Sequence, residues 1–188
     1  VQTCALPISF LHLSSDADGV IWFRCTNIFT SRPWFYGIRL HCISSDQQTF
    51  FEMASRDSYE IRKLQKPAIV IDGGGNIGHF AIAAHSIWPE AHVFIFEPNP
   101  QNVGLLHLHL QRNGIRAAVL EECLAQNEGT ATFFQREANR GSLSGDGHFD
   151  QTITVRKRPL STLLAANPQS SVIKLDIEGA ELEVLRDL

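Results

Sequence analysis

The chain has 188 residues, 44% of them hydrophobic and 19% charged, with a formal net charge of -4 at pH 7. This length accommodates one domain with a sizeable core, the mild acidity gives no reason to expect a nucleic-acid partner, and no apolar run reaches the roughly 18 residues that membrane insertion needs. The four cysteines are scattered, with no CxxC pair or Cys/His cluster, so we expect a soluble cytoplasmic protein without a metal site or a disulfide scaffold, while its oligomeric state stays open.

The first 45 residues are interpreted as a poorly specified leader. Residues 1–8, VQTCALPI, resemble the translation of a sequencing adapter and are set aside as a possible artefact. Residues 9–45 mix aromatic and β-branched stretches with Ser, Asp and Pro, a pattern that predicts short strands. A second region, 46–188, is expected to form the domain, and it opens with a helix that Asp46 can cap and Pro67 ends.

Strands then alternate with helices. Four apolar runs predict buried parallel strands, at 68–71, 92–96, 117–120 and 171–177. Helices are predicted over 78–87, from the Asn99 cap to Gly114, and from Ala180 onward. Two further strands, at 130–134 and 152–155, flank a Gly/Ser-rich loop at 140–150. This order predicts an α/β fold with a doubly wound, mostly parallel, Rossmann-like sheet covered by helices on both faces.

A glycine-rich turn follows the first of these strands, in VIDGGGNIGHF at residues 70–80. Glycines at such a junction let the backbone approach a ligand closely. Gly73, Gly75 and Gly78 satisfy GxGxxG, and Glu97 lies 19 residues after Gly78, so spacing alone allows NAD. Asp72 favours S-adenosylmethionine (AdoMet) instead, because a carboxylate would repel a pyrophosphate but attract a sulfonium and an ammonium.

Three successive segments, VIDGGGNIG, FIFEPNPQNVGLL and IKLDIEGAELEVL, resemble the motifs of the FkbM family of AdoMet-dependent methyltransferases, which are mostly O-methyltransferases. The resemblance covers about residues 46–188 and includes the upstream segment SSDQQTFFEMASRDSYEI. One departure is Gly75, where the family usually has alanine, and we expect both residues to allow the same backbone path. The resemblance implies that AdoMet is the cofactor.

The same resemblance assigns residues to the two halves of the cofactor pocket. Asp72, Gly74, Asn76 and Gly78 fall on the methionine side, Glu97 and Asn99 on the ribose and adenosine side, and Leu124 and Ala125 in the segment that flanks the adenine. Simpler structural explanations stay open: Asp72 and Asn99 as helix caps, Asn76 as a turn residue, and residues 124–125 as a plain loop. Only Glu97 has no evident local structural role in the sequence.

Charged residues in KLDIEGAE, 174–181, are the candidates for the chemistry. Strand alternation would place Lys174, Asp176 and Glu178 on one side of an extended stretch, at a strand end that faces the ligand crevice. Methyl transfer to a hydroxyl needs a group that takes the proton, and Asp176 is the preferred candidate. Alternatively, Lys174 and Glu178 form an ion pair and Asp176 caps the next helix.

The acceptor is expected to be a hydroxyl on a small molecule, a sugar or a lipid, and the sequence does not choose among them. His148 in the Gly/Ser-rich loop could close over an acceptor or could simply be solvated. The basic run Arg156, Lys157 and Arg158 reads as a solvated strand end, although an acidic acceptor would also suit it. An NAD(P)-dependent oxidoreductase and a non-catalytic Rossmann-like module remain the alternatives.

The end of the sequence bears on stability. The methyltransferase sheet that the motifs resemble has seven strands ordered 3-2-1-4-5-7-6, and this sequence ends just after the fourth. We therefore expect the chain to lack its last strands, to expose an unpaired strand edge, and to be weakly stable or to associate when expressed alone.

Overall fold

A computed structural model of the chain describes residues 8–15, 20–27, 33–39, 59–136, 140–142, 151–186 and 188. Strands within these ranges are β1 (Ile8–Ser15), β2 (Val20–Asn27), β3 (Pro33–Arg39), β4 (Ile69–Gly73), β5 (His92–Phe96), β6 (Ala117–Leu120), β7 (Glu122–Ala125), β8 (Gly129–Arg136), β9 (Arg140–Ser142), β10 (Gln151–Pro159) and β11 (Ser171–Leu175). The helices are α1 (His79–Ile87), α2 (Pro100–Arg112), α3 (Leu160–Ala166) and α4 (Glu181–Leu185). None of these helices is long and apolar enough to cross a membrane.

A parallel sheet forms the centre of the described domain, in the order β11-β4-β5-β6. In chain order these are its fourth, first, second and third strands, the arrangement expected for this part of the methyltransferase sheet. Val70, Val93 and Ile95 pack with residues of α1 and α2 on one face. Ile69 and Ile71, whose side chains alternate with Val70, pack on the other face with Leu160 of α3 and Val184 of α4. The predicted α/β, Rossmann-like sheet with both faces covered is therefore confirmed.

Two smaller sheets flank this one in sequence. Strands β1, β2 and β3 form an antiparallel sheet, so the strands expected in residues 9–45 are present. Strands β7, β10, β8 and β9 form a mixed sheet, in that order, in which β10 runs parallel to β7 and antiparallel to β8. Only Glu121 separates β6 from β7, so the chain passes directly from the parallel sheet into the second one.

Several predicted boundaries were wrong. The described end of the helix expected to run to Pro67 is a short 3-10 turn, Ile61–Lys63, preceded by Glu60 at a left-handed φ of 49°. Residues 46–58 of that prediction lie outside the described residues. The strand expected over 171–177 ends at Leu175, because Glu178 and Gly179 turn the chain with φ of 55° and 104°.

The basic run also differs from its prediction. Strand β10 continues to Pro159, so Arg156, Lys157 and Arg158 lie within the strand instead of at a solvated end. The Arg158 guanidinium donates to Glu122 of β7 through Nε at 2.5 Å and Nη2 at 3.1 Å. Arg158 therefore links β10 to β7 through an ion pair. His148 lies outside the described residues.

Candidate cofactor site

The candidate site lies where β4, β5 and β11 end together. Their register pairs Gly73 with both Phe96 and Leu175, so the three carboxyl ends are level. The glycine turn leaves β4 here and is fastened across β5, because the amides of Gly74 and Gly75 both donate to the Phe96 carbonyl, at 3.0 and 2.9 Å. The carboxyl edge of a parallel sheet is where open α/β folds bind ligands.

The glycines of this turn are required by the chain's own packing. Gly74 has φ of 74°, and a Cβ there would lie 2.0 Å from the Asp176 carbonyl oxygen. A Cβ on Gly75 would lie 2.1 Å from Cγ2 of Ile95, and Gly78, with φ of 94°, approaches Leu106 of α2. These contacts within the chain already require small side chains. They also contradict the expectation that alanine at residue 75 would follow the same path with Ile95 in place.

Glu97 connects the turn to the start of α2. Its Oε2 accepts from the Asn76 amide at 2.7 Å, while Oε1 accepts from the Asn99 amide at 2.9 Å and from Asn102 Nδ2 at 3.2 Å. Burial raises the pKa of the Glu97 carboxyl above its ordinary value of 4.5, although these hydrogen bonds and the charge of Lys174 oppose that shift. Glu97 therefore has the local structural role that the sequence did not reveal.

Asn76 and Asn99 occupy the ends of that connection. Asn76 adopts φ of 48°, a left-handed conformation that asparagine tolerates, so its role as a turn residue is supported. Asn99 caps α2, since its Oδ1 accepts from the Gln101 amide at 3.0 Å. The same Oδ1 accepts from Nε2 of Gln135 on β8 at 2.8 Å, while the buried Asn99 Nδ2 has no hydrogen-bond partner among the described residues. Gln135 was not predicted as a site residue, because nothing in the sequence of β8 indicates that the end of this strand lies beside Asn99.

Asp72 is fully enclosed, with 0% of its surface exposed. Lys174 Nζ lies 3.0 Å from Asp72 Oδ1, close enough for an ion pair but not aligned as a hydrogen bond. Neither carboxylate oxygen accepts a hydrogen bond from the described residues, and α1 has Gly78 as its N-cap, so Asp72 is not the cap of that helix. Lys174 therefore pairs with Asp72, and not with Glu178 as in the alternative left open by the sequence.

Asp176 lies exposed at the mouth of the turn. Its amide donates to the Gly73 carbonyl at 3.1 Å, and its carboxylate Oδ2 accepts from the Tyr59 hydroxyl at 3.2 Å. The Tyr59 ring packs edge-on against Phe80, with centroids 5.4 Å apart. The N-terminus of α4 is held by Glu181, whose carboxylate accepts from the Ile177 and Gly179 amides, so Asp176 is not its cap. Tyr59 was not anticipated, because 117 residues separate it from Asp176.

The three predicted catalytic residues do not share one side of a strand. Lys174 lies in β11 and is buried, whereas Asp176 and Glu178 follow the strand and are exposed. The left-handed turn at Glu178 ends the alternation on which the prediction rested. Geometry brings only Asp176 and Lys174 to the glycine turn.

The segment predicted to flank the adenine is a strand and not a loop. Leu124 and Ala125 lie in β7, both buried, and Leu124 Cδ1 would meet a Cβ on Gly73 at 2.9 Å. This places β7 against the end of β4. Whether Ala125 contacts a cofactor stays a prediction.

Parts of this chain are similar to known methyltransferases. The family model described as the methyltransferase FkbM domain matches residues 72–188. "Methyltransferase 1" of Beauveria bassiana is 21% identical over 154 residues, covering 69% of this chain and 62% of that protein. "Methyltransferase sdnD" of Sordaria araneosa is 27% identical over 175 residues, covering 74% of this chain and 68% of that protein.

The chain thus spans about two thirds of the length of these relatives, and slightly less for the first. The family match begins at Asp72, at the end of β4, and runs through the glycine turn, Glu97 and the residues that follow β11. It covers well over half of the chain, and the chain belongs to the FkbM methyltransferase family.

Proposed function

We propose that this chain binds AdoMet at the glycine turn and transfers its methyl group to a hydroxyl of a small-molecule, sugar or lipid acceptor. The observation that carries the proposal is Glu97, a buried carboxylate that joins the turn to α2 at the carboxyl edge of the sheet. Family membership adds the methyl-transfer chemistry. Bound AdoMet would supply the methyl group on a sulfonium and leave as S-adenosylhomocysteine (SAH).

The polar groups at this edge fit the nucleoside half of such a cofactor. A carboxylate accepts about four hydrogen bonds, and Glu97 uses three, which leaves one position on Oε2 for a ribose hydroxyl. Asn99 Nδ2 is a buried donor without a partner in the described residues, suited to a ligand acceptor atom. An unpaired buried polar group costs about 1–3 kcal/mol, so a ligand that pairs it gains affinity.

The charge of Asp72 does not by itself select the cofactor. Lys174 neutralises it within the buried pair, so the repulsion of a pyrophosphate argued from the sequence is largely cancelled. Preference for AdoMet over NAD therefore rests on family membership. AdoMet and NAD are therefore both tested in the binding experiment.

Asp176 is the residue proposed to take the acceptor proton. Its exposed carboxylate is fixed at the mouth of the turn by its own backbone and by the Tyr59 hydroxyl. An acceptor hydroxyl has to lose its proton as it takes the methyl group, and the carbon–sulfur electron pair would stay with the departing SAH. The hydroxyl proton then passes to the Asp176 carboxylate.

Isothermal titration calorimetry tests the cofactor assignment. The chain is titrated with SAH, AdoMet and NAD in parallel. We expect saturable binding of SAH and AdoMet and none of NAD. Binding of NAD without either AdoMet species would overturn the proposal and favour the oxidoreductase alternative.

A transfer assay tests Asp176. AdoMet labelled on its methyl group is incubated with small alcohols, sugars and lipids, and single-turnover rates are measured on the acceptor that is labelled. Asp176→Asn should lower that rate by a hundredfold or more, on the order of one general base, while SAH affinity changes little. Glu183→Gln, which alters another exposed carboxylate, is the matched control. Equal rates for Asp176→Asn and the parent would remove Asp176 from the proton transfer.

A further inference from the structure

Lys174 directs its ammonium into the glycine turn. Its ammonium donates to the Gly73 carbonyl at 3.1 Å and to the Gly74 carbonyl at 2.7 Å, and it lies 3.0 Å from Asp72 Oδ1. An ammonium has three protons; two of them are used in these hydrogen bonds, and the contact with Asp72 is an ion pair. Only 8% of the Lys174 surface is exposed, so little of this side chain is accessible to an acceptor or a cofactor.

These contacts connect the end of β4 with the end of β11, two segments that are far apart in the sequence. Lys174 stands opposite Asp72 in the register of β11 and β4, and two residues later the Asp176 amide donates to the same Gly73 carbonyl. The Asp176 carbonyl oxygen in turn packs against Gly74, where a Cβ would lie 2.0 Å away. The turn that leaves β4 and the segment that leaves β11 are thus joined by three hydrogen bonds and an ion pair.

We propose that Lys174 is a positioning residue that locks the glycine turn to the end of β11, so that the cofactor loop and Asp176 keep one fixed register. It does not move a proton in the reaction. This inference rests on the proposed function only in taking the turn as the cofactor site. Asp72 is its counterion and contributes to the site through it.

Removal of Lys174 leaves two kinds of unpaired group. The Gly74 carbonyl loses its Lys174 donor, the Gly73 carbonyl keeps the Asp176 amide, and Asp72 becomes a buried charge without a counterion, which is strongly unfavourable. The turn can relieve both by shifting, and a shift displaces every cofactor contact it carries. Misplacement by an ångström is enough to cost about a hundredfold in an organised site.

The test compares Lys174→Met with Lys66→Met, which removes a lysine from an exposed ion pair with Glu90. SAH affinity is measured by calorimetry well below the unfolding transition, and amide exchange is measured at Gly74 and Gly75. We expect Lys174→Met to weaken SAH binding by tenfold or more and to accelerate exchange at both glycines, with Lys66→Met unchanged. Asp72→Asn added to Lys174→Met should restore part of the exchange protection, because the uncompensated charge is gone.

Opposite outcomes overturn the inference. Unchanged SAH affinity and unchanged glycine exchange in folded Lys174→Met would show that the turn does not need the lysine. If Lys174→Met does not fold, Asp72→Asn is compared with Asp72→Asn/Lys174→Met, and equal exchange at Gly74 and Gly75 would be the refuting result. If the parent binds no SAH, the proposed function fails, and the exchange measurement alone decides the role of Lys174.

Discussion

Substitution of Gly75 by alanine should destabilise this protein. A Cβ on Gly75 would lie 2.1 Å from Ile95 Cγ2, and ordinary contact begins at 3.4 Å, so the two atoms must separate by 3.4 - 2.1 = 1.3 Å. Ile95 is fully buried in the centre of the sheet, and its branched Cβ gives Cγ2 little freedom. Overpacking of this kind costs about 1–3 kcal/mol, and we expect Gly75→Ala to lower the free energy of unfolding by that amount.

Urea denaturation at 25 °C measures the loss, with Gly104→Ala as the matched control. Gly104 lies exposed within α2, where a Cβ would meet nothing within 4 Å, so alanine there should stabilise by about 0.5–1 kcal/mol. Adding Ile95→Leu to Gly75→Ala moves the branch away from Cβ and should recover part of the loss, giving a coupling of about 1 kcal/mol. A Gly75→Ala variant as stable as its parent would refute the packing argument.

Three further predictions concern other parts of the described chain. Burial raises the pKa of the Cys123 thiol from 9.0 to about 11, so at pH 8 its thiolate is about a hundredfold scarcer. Iodoacetamide should therefore label Cys123 only on unfolding, and equal labelling rates in buffer and urea would contradict this. Arg158 lowers the pKa of the Glu122 carboxyl below 4.5, so their pair stabilises above that pH and the benefit is lost as the pH falls through the lowered pKa. Arg158→Gln should cost about 1 kcal/mol or less at pH 7 and progressively less in acid, whereas a loss independent of pH would exclude the ion pair as its cause. Tyr59→Phe should slow methyl transfer by up to about tenfold, as expected for one hydrogen bond, without changing SAH affinity. Tyr36→Phe, at the chain's other tyrosine, is its control, and equal effects of the two would remove Tyr59 from the site.

Local patterns predicted the central elements well. The strand His92–Phe96 and the Asn99 cap with Pro100 at the first turn of α2 were found where expected, because burial and capping are encoded by neighbouring residues. Strand β7 was missed because Glu121 alone separates it from β6, and no turn signal marks the boundary. Hydrophobic periodicity indicates that a strand is present, but it does not indicate where the chain passes from one sheet to another.

Partners within the site were much less predictable. Alternation located Lys174 in a strand but could not identify Asp72, 174 - 72 = 102 residues earlier, as its counterion. From the sequence, the Glu97 carboxylate seemed free to bind a ligand. One of its hydrogen-bond donors is the amide of Asn76, 21 residues upstream, and only the folded turn brings that amide near. Contacts of this kind depend on strand order and register, which a single sequence encodes weakly.

The separation between Gly74 and Lys174 has a consequence for how the protein is made. Their contact joins residues 100 positions apart, so a ribosome finishes β4, the glycine turn, β5 and β6 long before it adds the lysine. Until then a nascent chain has no counterion for Asp72 and no β11 beside β4. Long-range pairings of this kind form late and slowly. The nascent chain should therefore form most of its parallel sheet before it can bind a ligand. The ability to bind a ligand should then appear in one step, when β11 pairs with β4.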